Sequence, residues 1–144
     1  MGKITAIVAL AVCLALAAVP YESLDCPEWN VTVVTESGQP VAGMTARLVY
    51  RDYSAETLSH EVDKTTDQKG HAVFPSQTLR ASFFQRGIVM VESARQGVHA
   101  SFGPHAFVFA FGQGFEGFAV DWNGGPDRMT SRIVVQRSPS AHRP

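Results

Sequence analysis

After residue 28, the chain consists largely of short stretches in which apolar and polar residues alternate. In residues 29–36, Val31 and Val33 fall on one face, and Asn30 and Thr32 fall on the other. A period of two, filled with β-branched residues, is typical of a half-buried strand. Further strands are predicted at 44–51, 62–66, 71–74, 88–92, 98–102, 106–111, 115–122 and 131–136.

Turn-forming residues separate these stretches. Asp67, Gln68, Lys69 and Gly70 lie between two predicted strands, with Asp in the first turn position and Gly in the last. Asp can accept a backbone N–H two residues on, and Gly can adopt a positive φ without a steric penalty, so residues 62–74 are predicted to form a hairpin. Seven to nine short strands with regular turn signals predict an all-β fold, specifically an antiparallel β-sandwich.

The first residues differ from the rest. Lys3 precedes an apolar run from Ile4 to Val19, and this run is shorter than the roughly 20 residues that a membrane-crossing helix needs. Residues 1–17 are therefore predicted to be a signal peptide, the alternative being an uncleaved anchor. The remaining divisions are a linker at 18–28, with Cys26 as a linker thiol, a β-sandwich domain at 29–137 and a flexible tail at 138–144.

Loss of residues 1–17 would leave 11 basic and 13 acidic side chains, a formal charge of −2. Without a basic stripe to follow a phosphate backbone, nucleic acid is not expected as a partner. No stable membrane span is expected after cleavage, and the protein is expected outside the cytoplasm, periplasmic or secreted. The expected partner is an unidentified protein or carbohydrate.

One group of motifs resembles a known family. Val31-Thr32-Val33, the run Gly38 to Gly43 (GQPVAG), Thr65-Thr66-Asp67 with Gly70, and Phe74-Pro75 resemble the carboxypeptidase regulatory-like domains and their prealbumin-like and bacterial Ig-like relatives. The resemblance covers about residues 29–75. It implies an exported, non-catalytic β-sandwich module with a binding or scaffolding role.

The sequence offers little for catalysis. The five histidines are His60, His71, His99, His105 and His142, and no two of them stand two, three or four residues apart, so no metal site and no cofactor are predicted. Neither a nucleophile elbow nor a phosphate-binding glycine loop is present.

The sequence does not match the motifs of two enzyme families with related folds. The transthyretin-like hydroxyisourate hydrolases end in Tyr-Arg-Gly-Ser, which this chain lacks. The intradiol dioxygenases bind iron through paired Tyr and His, and the sequence places no His pair near Tyr50 or Tyr53. No catalytic residues are predicted, and a metal-dependent periplasmic enzyme ranks behind the binding functions.

Aromatic residues supply the candidate binding site. Trp29, Tyr53 and Trp122 could form an exposed platform for a sugar ring, which would make the protein a carbohydrate-binding module; the alternative places the tryptophans in the core. Most of the phenylalanines at 107, 109, 111, 115 and 118 are predicted to be core, with an apolar face for a protein partner as the alternative.

Overall fold

A computed structural model describes residues 2–118 and 121–137 of the 144-residue chain. Two helices and nine strands follow in the order α1 Gly2–Ala18, β1 Tyr21–Cys26, β2 Glu28–Thr35, β3 Thr45–Asp52, β4 His60–Thr65, β5 His71–Phe74, β6 Gln77–Ala81, α2 Phe83–Ala94, β7 Pro104–Gly112, β8 Phe115–Phe118 and β9 Arg128–Arg137, with a 3₁₀ turn at Gly97–His99 between α2 and β7.

The strands form one large sheet and one small sheet. The large sheet has seven strands in the order β4-β3-β7-β8-β9-β2-β5 and is nearly closed, since its edge strands β4 and β5 contact each other. The small sheet pairs β1 with β6. The prediction of a mostly β protein is confirmed. The prediction of a purely antiparallel arrangement is wrong, because β2 and β9 run parallel over eight residue pairs.

For residues 62–74, the predicted turn is confirmed, but the predicted pairing of the two flanking strands is wrong. Asp67 Oδ1 accepts the backbone N–H of Lys69 at 2.8 Å and that of His71 at 2.9 Å, and Gly70 has a φ of 74°. The flanking strands do not pair, because β4 pairs with β3 and β5 pairs with β2. The turn therefore connects the two edges of the large sheet.

A single hydrophobic core lies inside the curved sheet. It is built from alternate residues of the sheet strands, chiefly Trp29, Val31, Val33, Ala46, Leu48, Phe74, Ala106, Val108, Ala110, Ile133 and Val135. The prediction that the phenylalanines of β7 fill this core is wrong. Ala106, Val108 and Ala110 point inward, while Phe107, Phe109 and Phe111 stack along the outer face with ring centroids 6.2 and 5.6 Å apart. Small inward side chains suit β7 because Trp29 and Phe74 already occupy much of the core volume.

Helix α2 and the segment after it replace two predicted strands. The apolar run at 88–92 lies within α2, and residues 98–102 lie in the 3₁₀ turn and the loop after it. The Ser82 side chain caps the helix by accepting the Gln85 N–H at 3.2 Å. A short apolar run fits a buried strand or a helix equally well, and here the cap and the length of the segment decide for the helix.

The segment predicted to be a linker, 18–28, contains strand β1, and Cys26 at the end of that strand is fully buried. Residues 138–144, predicted to be a flexible tail, lie outside the described residues, and the division of the chain into signal, linker, domain and tail stays a prediction. Neither described helix has the length and apolar character needed to cross a membrane.

Candidate functional site

A cavity of about 210 Å³ opens where β3 and β7 end side by side. In the register of this strand pair Val49 lies opposite Phe107, and Arg51 lies opposite His105. The segment after β3 and the residues before β9 complete the wall. The lining residues are Val49, Tyr50, Arg51, Tyr53, Ser59, His105, Ala106, Phe107, Asp121 and Trp122.

The carbonyl of Gly103 positions two rings of the cavity wall. It accepts the backbone N–H of Tyr53 at 2.9 Å and the Nδ1 of His105 at 3.2 Å. A carbonyl oxygen can only accept, so Nδ1 carries the proton and Nε2 is the acceptor nitrogen of the neutral ring. Gly103 has a φ of 77°, in the left-handed region that glycine adopts most easily, and its own N–H donates to Ser54 Oγ at 2.8 Å.

In the cavity wall, the ring of Tyr53 contacts both the ring of His105 and the guanidinium of Arg51. The edge of one ring of the Tyr53–His105 pair meets the face of the other, with centroids 5.1 Å apart. The guanidinium of Arg51 lies 4.3 Å from the centre of the Tyr53 ring, and its Nε donates to the carbonyl of Glu56 at 3.2 Å. Cation–π and edge-to-face contacts of this kind hold planar groups in fixed orientations, so the wall is largely preformed.

The turn that carries Tyr53 is anchored to α2 by a buried ion pair. Asp52 Oδ1 accepts the Ser54 N–H at 2.8 Å, and Asp52 Oδ2 accepts from Arg86 Nη1 at 2.7 Å. Both charged side chains are nearly inaccessible to solvent. Arg86 also donates to Ser23 Oγ at 2.6 Å and lies over the Tyr21 ring, so it joins strand β1 to the same cluster.

A buried carboxyl adjoins this ion pair. Asp25 is 2% exposed, and its Oδ1 has no hydrogen-bond partner among the described residues. Burial raises the pKa of Asp25 to about 6, and the nearby carboxylates of Glu56 and Asp52 add to the increase. Burial, with the Asp25 charge, likewise raises the pKa of the Cys26 thiol to about 12, so Cys26 is not a thiolate nucleophile.

The structure places the three predicted ligand-binding residues differently from one another. Trp29 is fully buried, and its Nε1 donates to Ser131 Oγ at 2.8 Å. Trp122 is 4% exposed and also belongs to the core, so neither tryptophan presents an exposed platform for a sugar. Tyr53 and Trp122 both contribute to the wall of the cavity. Their role in ligand binding stays a prediction.

Sequence reasoning missed the charged cluster and His105. Asp25, Asp52 and Arg86 are separated by up to 61 positions in the chain and meet only because α2 packs beside β1 and the end of β3. The one local signal was Asp52 followed two residues later by Ser54, a pattern that forms a turn closed by the aspartate side chain.

The described part of the chain contains no group of three or more His, Cys, Asp and Glu side chains that could hold a metal ion. The sequence predicted no His pair near Tyr50 or Tyr53, and the fold places one histidine against each of these rings. His60 stacks on Tyr50 with centroids 5.1 Å apart, and His105 lies against Tyr53. His60 is not part of the cavity wall, and its Nε2 lies 2.7 Å from Glu56 Oε2.

No protein-family model matches the sequence, and no curated protein does. Among solved structures, the chain is similar to the 3-chlorocatechol 1,2-dioxygenase of Rhodococcus opacus 1CP, with 16% identity and a TM-score of 0.48 over 81% of this chain and 62% of that one. It is also similar to the chlorocatechol 1,2-dioxygenase of Pseudomonas putida, with 14% identity and a TM-score of 0.46 over 85% of this chain and 66% of that one. The chain thus spans less than two thirds of each.

These matches correct the sequence-based function. Both solved structures are enzymes, and neither is a carboxypeptidase regulatory-like domain. The prediction of a non-catalytic binding or scaffolding module, with a carbohydrate-binding module as its alternative, is therefore wrong, as is the prediction that the protein is not an enzyme. Likeness at this TM-score and identity carries no argument about chemistry, so the function is argued below from the cavity alone.

Proposed function

We propose that the cavity beside β3 and β7 binds a small, planar, single-ring molecule that carries a hydroxyl group, and that His105 accepts the proton of that hydroxyl. The observation that carries the proposal is the pairing of His105 with Tyr53 in the wall, fixed by the shared Gly103 carbonyl.

The size of the cavity limits the ligand. Sites for drug-sized molecules usually occupy about 300–1,000 Å³, whereas an apolar cavity of about 150 Å³ holds a benzene molecule. A volume of about 210 Å³ is therefore suited to one substituted ring. The rings of Tyr53 and Phe107 in the wall favour a planar, apolar body.

The polar groups of the wall favour a hydrogen-bond donor on that ring. With Nδ1 donating to the Gly103 carbonyl, Nε2 of His105 is left as an acceptor, the carboxylate of Asp121 is a second acceptor, and Ser59 can both accept and donate. A ligand carboxylate would face the Asp121 charge. The Arg51 guanidinium in the same wall already lies over the Tyr53 ring, with its Nε donating to the Glu56 carbonyl. A ligand hydroxyl can donate to either acceptor. An imidazole with one nitrogen fixed by a backbone carbonyl is the usual arrangement for proton transfer at neutral pH.

The test is a titration of the full chain with phenol, benzoate and cyclohexanol, followed by nuclear magnetic resonance with labelled histidine nitrogens. We expect phenol to bind more tightly than either of the other two and to shift the His105 Nε2 resonance. His105→Gln should weaken phenol binding by about tenfold, since it removes the imidazole nitrogen that accepts the hydrogen bond of the hydroxyl.

The matched control is His71→Gln on β5, which lies outside the cavity and should leave phenol binding unchanged. Equal phenol binding by wild type and His105→Gln, or preference for cyclohexanol over phenol, would contradict the proposal.

We also propose that the curved sheet forms the two layers of a β-sandwich, and that the protein acts outside the cytoplasm. The first is supported by the core, in which residues of β3 and β7 belong to one buried cluster with residues of β2 and β9. The second is supported by helix α1, in which Lys3 precedes a long apolar run. Fusion of residues 1–28 to alkaline phosphatase, which is active only after export, should give an active reporter; an inactive reporter would exclude export by this segment.

A further inference from the structure

Helix α2 packs on the rest of the protein through its polar side. Arg86 donates to Asp52, Ser93 Oγ donates to the Tyr53 carbonyl at 3.1 Å, and Val89 lies between these two positions along the helix. Val89 and Ser93 are the buried residues of the helix, and the Arg86 side chain is 12% exposed. The inward face therefore consists of an ion pair, a hydroxyl and one valine.

The opposite face of α2 is apolar and points away from the protein. Phe84, Ile88 and Val91 are spaced four and three residues apart, which places them on one stripe, and they are 47%, 67% and 57% exposed. Phe83 and Met90 flank the stripe and are also exposed. An amphipathic helix normally turns its apolar face toward the core, so this orientation marks α2 as an interaction surface.

Helix α1 lies next to this surface and indicates what covers it. It contacts α2, it is apolar on every side apart from Lys3 and Thr5, and none of its side chains is buried. A protein groove covers one stripe of a helix, whereas a helix that is apolar all round requires an apolar surrounding on every side. A lipid bilayer supplies such a surrounding, and the contact with α1 brings the apolar stripe of α2 to the same bilayer.

We propose that, in the chain that retains α1, the outward face of α2 lies on a lipid bilayer surface beside α1. A second copy of the chain is a poorer occupant, because a stable interface uses about 20–30 residues on each side. The α2 stripe and its two flanking residues offer five side chains on a helix of 12 residues. The exposed Arg80, just before the helix, suits the anionic headgroups of such a surface, whereas Arg95, just after the helix, is paired with Glu92 at 3.3 Å.

The experiment places a fluorescent reporter on α2 of the full chain, with residues 1–18 retained. Trp29 and Trp122 are buried, so the emission of a third tryptophan introduced by Ile88→Trp can be followed against a constant background. We expect mixed phosphatidylcholine and phosphatidylglycerol vesicles to shift this emission to shorter wavelength and brominated phosphatidylcholine to quench it. Val73→Trp, on edge strand β5 and also exposed, is the matched control and should show neither effect.

A second pair of variants measures the contribution of the face. Ile88→Lys should weaken partition into the same vesicles by about tenfold, since it removes one apolar side chain from the contact, while Val73→Lys should leave it unchanged. Circular dichroism and the melting temperature confirm that each variant folds.

Three outcomes would overturn the proposal. One is vesicle binding without quenching of the Ile88→Trp emission, which would mean that α1 alone holds the chain. Another is absence of vesicle binding. The third is a lipid-free shift of the emission that grows with protein concentration alongside a dimer in sedimentation velocity, which would assign the face to a second copy.

Discussion

Asp25→Asn should make the protein more stable at neutral pH and should remove a pH dependence that the wild type has. The folded protein holds this carboxyl at a pKa of about 6, compared with its usual value of 3.8. Because the folded state binds the proton more tightly, the contribution of Asp25 to stability is fully present below about pH 4. It is lost as the pH rises through 6. A difference of about two pKa units corresponds to up to about 3 kcal/mol.

The structural cause is that ionised Asp25 would be a poorly solvated charge. Its side chain is buried, its Oδ1 has no partner within the described chain, and the carboxylates of Asp52 and Glu56 are close enough to raise its pKa. His60 and Arg86 lower the pKa of Asp25 but are outweighed. Asparagine has nearly the same shape and never ionises, so the variant removes the charge without opening a cavity.

Urea unfolding monitored by fluorescence, with buried Trp29 as the reporter, measures the effect at intervals between pH 4 and pH 8. The free energy of unfolding of the variant relative to the wild type should rise by up to about 3 kcal/mol across this range. Asp127→Asn, at an exposed position, should change stability by less than about 0.5 kcal/mol at every pH. A difference between Asp25→Asn and the wild type that is constant with pH, or that falls as pH rises, would refute the assignment.

Two further substitutions test the anchors of the cavity and of the sheet. Arg86→Ala should lower the free energy of unfolding by about 3–5 kcal/mol, because it leaves a buried carboxylate without its partner; in the same urea assay Arg95→Ala, an exposed control, should cost less than about 1 kcal/mol. Gly70→Ala should lower the melting temperature and cost about 2 kcal/mol or more, since its Cβ would meet a backbone oxygen of β2 and its φ is left-handed. Gly97→Ala is the control, because Gly97 has a similar φ but open space around the new Cβ, so that this variant measures the cost of the backbone conformation alone. An equal loss of stability in both variants would contradict the predicted clash at Gly70.

Much of the fold could be predicted from the sequence because alternation is a local signal. The alternating stretch at 29–36 became β2, the stretch at 106–111 lies in β7, and Asp67 and Gly70 form the predicted turn. The side of a strand that faces inward is not a local property. In β7 both faces are apolar, and the larger side chains, such as Phe109, point outward because the core is already filled from β2 and β5.

The candidate site was hidden for a related reason. Its members come from different elements: Asp25 lies near the end of β1, Asp52 ends β3, Arg86 lies on α2, and His105 lies on β7. Their meeting depends on strand order, and the sequence led to a hairpin between β4 and β5 that does not exist. The parallel pairing of β2 with β9 could not be predicted from a single sequence. A strand shows the same alternation of apolar and polar residues whether its neighbour runs parallel or antiparallel.

One helix accounts for both unusual features of the molecule. The turn that carries Tyr53 needs a cation at Asp52, and α2 supplies it through Arg86, which turns the polar stripe of the helix inward. Since positions three and four apart share a face and positions two apart do not, the apolar residues of α2, such as Ile88, must then point outward. The buried charge cluster behind the cavity and the exposed apolar face of α2 are thus two consequences of a single orientation of the helix. A change that reverses that orientation would remove both.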